Sequence, residues 1–552
     1  MPKYVERTPT RLPRGEEEQN PVPVCMPAPI PLPQTSPMLS DEQRHVLEAV
    51  CRGESVFFTG PAGTGKSVLL REIIKTLEPC NPSTIAVTAS TGVAGLNIGG
   101  CTLHSFAGIG LGKASKQSLA QRIAKSLMKR QRWRNTRTLV IDEISMIDGV
   151  LFDKLEYIAR EVRECQRPFG GIQLVISGDF YQLPPVPDQS HRRHSPSTYA
   201  FDAISWAGCV GTPVVLSQVF RQKDDVFVDI LASIRVGALS DDHIQKLSAL
   251  SRPLIYDDGI EPSELFPLRC DVERCNQERL AALPGETVTY RAIDGAGFDV
   301  LDKRIDRESA QRLLDRLVAL PSIGLKVGAQ VMLVQNVVPG SLVNGSVGIV
   351  EDFITTKQAV ERGIAVMVPK DEPARPTNLQ AMNDVVFAKN QPWPLVCFTQ
   401  ECRMLCAPLY FSIEGVRGNC EAHRTQVPLI LAWALSIHKS QGQTLQRVRV
   451  DLDRVFEKGQ AYVALSRATS MEHLEIANLQ PSKSVLAAGT KCTERLIVNR
   501  RIQAHPRVME WESTWMSYDE EPEPEPAHAR SDDLYAQFDD FDEDYSGNLI
   551  GL

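Results

Sequence analysis

Four short apolar runs set the pattern of the first half of the chain. Ser55-Val-Phe-Phe58, Thr84-Ile-Ala-Val87, Leu139-Val-Ile141 and Leu174-Val-Ile176 are separated by longer segments with helical periodicity. Strands apolar on both faces belong to a parallel sheet covered by helices on each side. A second set follows, in which Leu429-Ile-Leu-Ala-Trp-Ala-Leu435 is the strongest buried strand and Val448-Arg-Val450 and Leu474-Glu-Ile476 are weaker. Between about residues 345 and 427 the runs shorten, alternate and are broken by Gly, Pro and Asn, which predicts a small inserted β unit. The expected architecture is α/β. One domain covers residues 39–225 with a basic insertion at about 107–137, and a second covers 226–480 with the β unit inside it. An extension at 481–517 follows, and the Pro-rich residues 1–38 and the acidic residues 518–552 are expected to be disordered.

Composition supports a folded, multidomain chain: 552 residues, 43% hydrophobic and 23% charged. The uncharged stretch Pro21 to Leu39 contains seven prolines and cannot form a membrane-spanning helix. Thirteen cysteines spread over the whole length read as reduced intracellular thiols, not a disulfide framework. Lys3, Arg7, Arg11 and Arg14 hint at a mitochondrial presequence, but Glu6 and Glu16-Glu17-Glu18 spoil it. The expectation is a soluble protein of nucleus or mitochondrion, with that choice open.

Net charge is −8, which at first argues against a nucleic-acid partner. Its distribution reverses the argument. Asp519 to Leu552 holds twelve acids and one base, a net of −11, so the rest of the chain carries +3. Ala107 to Thr138 holds nine bases (Lys113, Lys116, Arg122, Lys125, Lys129, Arg130, Arg132, Arg134 and Arg137) and no acid.

The chemistry begins at Gly60-Pro61-Ala62-Gly63-Thr64-Gly65-Lys66-Ser67, a phosphate-loop pattern that follows an apolar strand and opens a helix. Its glycines let backbone N–H groups face phosphate oxygens, Lys66 offers a point charge to the β and γ phosphates of ATP, and the Ser67 hydroxyl suits Mg²⁺. Leu139-Val-Ile-Asp142-Glu143 ends a buried strand on two carboxylates: Asp142 for the Mg²⁺ shell, Glu143 to polarise water. Ser177-Gly-Asp179-Phe-Tyr-Gln182 leaves another strand end, where Gln182 can sense the γ-phosphate, and Gln43 before the first helix can read adenine.

With these stand Thr88-Ala-Ser-Thr91-Gly92, Thr102-Leu-His104-Ser-Phe106-Ala, Val219-Phe-Arg221-Gln, Gly328-Ala-Gln-Val-Met332, Leu342-Val-Asn-Gly345, Trp433 through Thr444 and Ala461-Tyr-Val-Ala-Leu-Ser466-Arg467-Ala. Taken in order over roughly residues 39–480, the blocks resemble the petite-integration-frequency (Pif-type) DNA helicases of the RecD-like branch of helicase superfamily one. The resemblance implies two RecA-like domains with ATP between them, and an inserted Src-homology-3-like barrel. It also implies 5′-to-3′ movement on single-stranded DNA, unwinding of forked or structured duplexes, and roles in repair, recombination and telomere maintenance. Arg221 and Arg467 match the arginine fingers, and Gly442 joins the nucleotide site. Thr91, Gly92, His104 and Phe106 match the DNA path of the first domain; His438, Lys439 and Gln441 match that of the second.

Alternatives stay open at several points. Phe106 fits base stacking or core packing, and the nine bases fit phosphate binding or a solvated helix face. The acidic tail places Leu534, Phe538 and Phe541 at helical spacing; it suits a basic protein partner, a DNA mimic or a solubilising tail. Cys397, Cys402, Cys406, Cys420 and His423 lack the paired short spacings of common zinc modules. A monomer is expected. An ATPase switch that displaces partners from DNA without unwinding is the alternative activity.

Overall fold

The computed structural model describes residues 39–79, 84–186, 198–298, 303–315, 317–335, 337, 342, 344–367, 391–399, 402–414, 420–477 and 505–516. The Pro-rich arm, the acidic tail with Leu534, Phe538 and Phe541, and most of the 481–517 extension lie outside the described residues. The chain divides into a large unit ending at Met509 and a short one from Glu510. In the short unit the rings of Trp511 and Trp515 meet edge to face, 5.6 Å apart.

In the first lobe, β1 (Val56–Thr59), β2 (Ile85–Ala89), β3 (Cys101–Thr102), β4 (Thr138–Asp142), β5 (Gln173–Ser177) and β6 (Val214–Val215) form one parallel sheet. The strand order is β3-β2-β4-β5-β1-β6. Every residue of β1 and β4 is buried, as expected for strands sandwiched between helices. Helices α1 (Asp41–Cys51) and α2 (Lys66–Leu77) cover one side, where Val46, Leu47 and Val50 meet Leu69, Leu70 and Ile73 against Phe58 and Val175. Because β5 lies between β4 and β1, the C-terminal ends of all three open onto one edge, where ligands of such sheets collect.

Helices α3 (Gly92–Asn97), α4 (Leu103–Ala107), α5 (Lys116–Lys125) and α6 (Leu127–Asn135) occupy the connection from β2 to β4, and α7 (Gly149–Arg163) follows β4. The basic stretch is thus helical with an apolar inner side: Leu119, Ile123 and Trp133 are fully buried.

The second lobe has a four-stranded parallel sheet in the order Ala434–Ser436, Ser263–Phe266, Val448–Asp451, Leu474–Ala477. Strand Ser263–Phe266 is absent from the apolar-run pattern because its first two residues are Ser and Glu. The expected strand Leu429–Leu435 is corrected to two. Leu429–Leu431 pairs antiparallel with Gln330–Leu333, and only Ala434–Ser436 enters the parallel sheet. An apolar run does not reveal that its halves serve different cores: Leu429 and Trp433 belong to one, Ala432 and Leu435 to the other.

The inserted β unit is also wider than the 345–427 segment. Its six-stranded sheet runs Ala365–Val366, Cys402–Leu405, Pro392–Phe398, Val347–Thr355, Gln330–Leu333, Leu429–Leu431, so members on both flanks lie outside those bounds. Two smaller antiparallel sheets join it, Val288–Arg291 with Ser322–Leu325, and Leu409–Glu414 with Cys420–Gln426 and Ile293–Ala296. Buried Arg424 pins the latter by two 2.7 Å bonds to Asp294 and one to the Ala319 carbonyl.

Candidate active site

The phosphate loop is held by its neighbours. Gly60 (φ +148°) has the Leu216 carbonyl 2.3 Å from where a Cβ would stand, and Gly65 (φ +79°) caps α2 in the left-handed region that glycine alone enters freely. The Lys66 ammonium donates to the carbonyls of Gly60 and Pro61 at 2.7 and 2.9 Å. Burial pulls its pKa below the ordinary lysine value, against the pull of Asp179, Glu143 and Asp142.

Asp142 ends β4 and accepts the Glu143 N–H at 2.9 Å. Glu143 adopts φ 55°, ψ 49°, a left-handed conformation unusual for a non-glycine residue. Burial raises the pKa of both carboxyls, and the Glu143 charge adds to the rise at Asp142. Two buried carboxylates beside a phosphate loop are a donor set a divalent cation would relieve. Asp142 with the Ser67 hydroxyl fits Mg²⁺, which takes one or two protein oxygens and fills its shell with phosphates and water.

Gln441, expected on the DNA path, is corrected. It is 7% exposed and its amide donates to Glu143 Oε2 at 2.8 Å, from the second lobe to the first. Gly442 lies beside it, 3.8 Å from Glu143 Oε1 measured from an ideal Cβ. Gln182 is held on Asp179, which is fully buried and ion-paired with Arg235 at 3.0 Å; Arg235 also lies over the Tyr181 ring. The side-chain Oε1 atoms of Gln182 and Gln441 are buried with no hydrogen-bond partner among the described residues. They are two acceptors suited to a water molecule, one of them on the side chain that holds Glu143.

Arg221 donates to the Ser466 carbonyl at 2.9 Å, and Gln222 to those of Ser466 and Ala468. Arg467 is 1% exposed, and among the described residues its guanidinium hydrogen-bonds only to neutral oxygens: Val463, Ser440 and Gln443 carbonyls and the Ser466 hydroxyl. Burial, and then the charge of Arg221, pull its pKa down to about 9. Lys66, Arg221 and Arg467 thus concentrate cationic charge where an anion would stabilise it.

Gln43 faces the loop, but both ends of its amide are engaged: Nε2 donates to the Thr64 carbonyl and Oε1 accepts the Ser40 N–H. One N–H and one lone pair remain. Phe220, given no role of its own within the Val219–Gln222 block, puts a 48%-exposed ring about 3.6 Å from an ideal Cβ on Gly65.

The family model for the PIF1-like helicase matches residues 38–244. The crystal structure of Pif1 helicase from Candida albicans is 40% identical, with a TM-score of 0.64, and the match covers 87% of this chain and 100% of that one. The chain belongs to the Pif1-like helicase family. The ATP-dependent DNA helicase PIF1 of Emericella nidulans is 46% identical over 502 residues, covering 87% of this chain and 64% of that protein. That of Homo sapiens is 41% identical over 472 residues, covering 85% and 65%. The chain therefore spans just under two thirds of the length of these curated relatives.

In this Pif1-like chain the first lobe's DNA-path candidates sit on short capped helices. Thr91 Oγ1 accepts the Ala94 N–H at the start of α3, where Gly92 is the first residue, and His104 is half-buried on α4. Phe106 is corrected: at 2% exposure, with its ring 5.2 Å from that of Trp133, it has no face for a base. In the second lobe His438 is half-buried and Lys439 exposed on Ile437–Ser440, and burial lowers the His438 pKa. Asn344 donates to Asn97 at 3.1 Å, linking the α3 end to the second lobe.

Several of the nine bases serve the fold. Arg132 donates to the carbonyls of Ser105 and Phe106, Lys129 to that of Gly108 and Arg122 to that of Ile109, satisfying the end of α4. Arg134 pairs with Glu164, whereas Lys125 and Arg137 are exposed.

Proposed function

We propose that this Pif1-like chain hydrolyses ATP to travel 5′ to 3′ along single-stranded DNA and part forked or structured duplexes, in repair, recombination and telomere maintenance. The observation that carries the reading is the meeting of Lys66, Glu143 and Gln182 with Gln441 and Arg467 of the other lobe in one buried cleft. The relatives named ATP-dependent DNA helicase support it.

Backbone N–H groups of the phosphate loop receive the β and γ phosphates, and Lys66 turns from its loop carbonyls onto them. Ser67 and Asp142 hold Mg²⁺, whose charge neutralises the phosphates when it is bound. Glu143, oriented by Gln441, draws the proton of a water held by the side-chain oxygens of Gln182 and Gln441 as that water's oxygen bonds to the γ-phosphorus. The bond from the γ-phosphorus to the β-phosphate oxygen breaks, with ADP as the leaving group. Arg221 and Arg467 place charge on the transferring phosphoryl group, an effect of roughly 10³ to 10⁵ in rate elsewhere. Adenine stacks on Phe220, with its edge at Gln43.

DNA phosphates and bases meet Thr91, Gly92 and His104 on one lobe and His438 and Lys439 on the other. The exposed Lys125 and Arg137 add a positive field for the duplex. ATP favours the closed pair of lobes and hydrolysis releases it, which moves one DNA grip past the other. A monomer suffices, in the nucleus or the mitochondrion; among the described residues no helix is long and apolar enough to cross a membrane.

The test is ATP hydrolysis with and without single-stranded DNA, for wild type and Lys66→Ala, followed by unwinding of forks with a 5′ or a 3′ tail. DNA-stimulated hydrolysis that needs Lys66, with opening of the 5′-tailed fork only, is expected. Hydrolysis with neither fork opened would replace the helicase by an ATPase switch.

A further inference from the structure

Tyr462 has no part in the chemistry above. It sits on the short helix Gln460–Leu465 of the second lobe, 2% exposed, and its phenol oxygen accepts the backbone N–H of Ala62 at 2.7 Å, across 400 residues of sequence. Ala62 is the third residue of the phosphate loop. Its methyl group is counted in the apolar core of the second lobe, with Tyr462, Val463 and Leu465, and not in that of its own.

The ends of the loop are fixed differently. Gly60 abuts the Leu216 carbonyl and Lys66 opens α2, both within the first lobe. The first lobe therefore holds the loop at its ends and, through Gln43 on the Thr64 carbonyl and the Phe220 N–H on the Gly63 carbonyl, beyond Ala62, while the Ala62 N–H is taken by the other lobe. Burial raises the phenol's pKa, which keeps Tyr462 neutral with its lone pairs available to an N–H. A buried backbone N–H is costly to leave unpaired, so the Ala62 position is secure only while Tyr462 is in place.

We propose that Tyr462 is a positioning residue that couples closure of the lobes to the shape of the phosphate loop, which takes its reactive form only when the cleft is shut. The proposal rests on the ATPase reading. Parting the lobes withdraws the acceptor and the methyl's packing together, so that a single hydroxyl with no contact to the reacting atoms would govern turnover.

Full-length wild type, Tyr462→Phe and Tyr462→Leu are compared for ATP hydrolysis at saturating single-stranded DNA, for fluorescent-ADP affinity and for melting temperature. Phenylalanine keeps the buried ring and removes only the acceptor. The expected result for Tyr462→Phe is a kcat lower by about tenfold, with ADP affinity and KM within about twofold of wild type and melting unchanged. Wild-type kcat in Tyr462→Phe, with or without impairment of Tyr462→Leu, overturns the role and leaves ring packing alone. So does a fall in ADP affinity that matches the fall in kcat, since the hydroxyl would then serve binding uniformly. A wild type that hydrolyses no ATP removes the motor reading itself; an active wild type beside an unchanged Tyr462→Phe removes only the coupling.

Discussion

Arg467 combines three properties that are rarely tolerated together: full burial, a positive charge and only neutral hydrogen-bond partners. A guanidinium survives there because its planar fork of five N–H donors reaches four oxygens at once, more than the three donors of an ammonium can serve. Arg221 nearby makes matters worse, since each charge disfavours the other. The arrangement is unfavourable for an empty site and favourable for a triphosphate. Arg467→Lys is therefore expected to keep nucleotide affinity within a few-fold and to lose roughly 10³ in DNA-stimulated hydrolysis, because the charge survives but its placement does not. Single-turnover hydrolysis with bound DNA measures this. A lysine variant within tenfold of wild type would mean that Arg467 is a structural cross-link between the helix Gln460–Leu465 and the Ser440–Gln443 turn.

At the scale of elements, α4 and α6 pack as one body, with Phe106 on Trp133 and Arg132 on the α4 carbonyls. Phe106→Ala is accordingly expected to cost about 3 to 5 kcal/mol of stability, as for a buried aromatic. Denaturant unfolding at several temperatures reads the loss, and unchanged stability with weakened DNA binding would restore Phe106 to the DNA face. The sequence signalled a helix and an aromatic here, but not the aromatic's direction, because Trp133 lies on another element. The phosphate loop and the Asp142-Glu143 strand end were legible because each is a contiguous run that works by its own backbone geometry. Gln441 was not: its partner Glu143 is 298 residues away, and only the paired sheets bring the two together. Strand Leu429–Leu435 failed for a related reason, since hydrophobicity reports burial without saying in which core. Tyr462 stood in plain view inside a recognised block, yet nothing local marks its hydroxyl as the partner of Ala62.

Across the whole molecule the two lobes meet through parts that leave no slack. Ala62 and Leu183 of the first lobe are built into the apolar core of the second. Gly459, at φ +76°, passes so close to the first lobe that a Cβ there would stand 2.3 Å from the Gln182 carbonyl oxygen and 2.6 Å from that of Tyr181. Both obstacles are backbone, so no side chain can swing aside, and an alanine at this position is accommodated only if the lobes separate. The left-handed φ itself adds roughly 1 to 2 kcal/mol for a non-glycine residue. Gly459→Ala is thus a probe of closure. DNA-stimulated hydrolysis is expected to fall by at least about tenfold, because Gln441 and Tyr462 no longer reach Glu143 and Ala62, and Arg467 no longer reaches a phosphate held by the first lobe. In wild type, nucleotide at about 100 times its dissociation constant should add about 2.7 kcal/mol of stability. In the variant that gain should shrink, since the open pair of lobes offers only the first lobe's half of the site. Thermal melting with and without ADP and Mg²⁺, set beside the hydrolysis rate, separates this from simple misfolding. A variant that melts early but hydrolyses normally and keeps the full nucleotide shift would show that the lobes need not close this far for turnover.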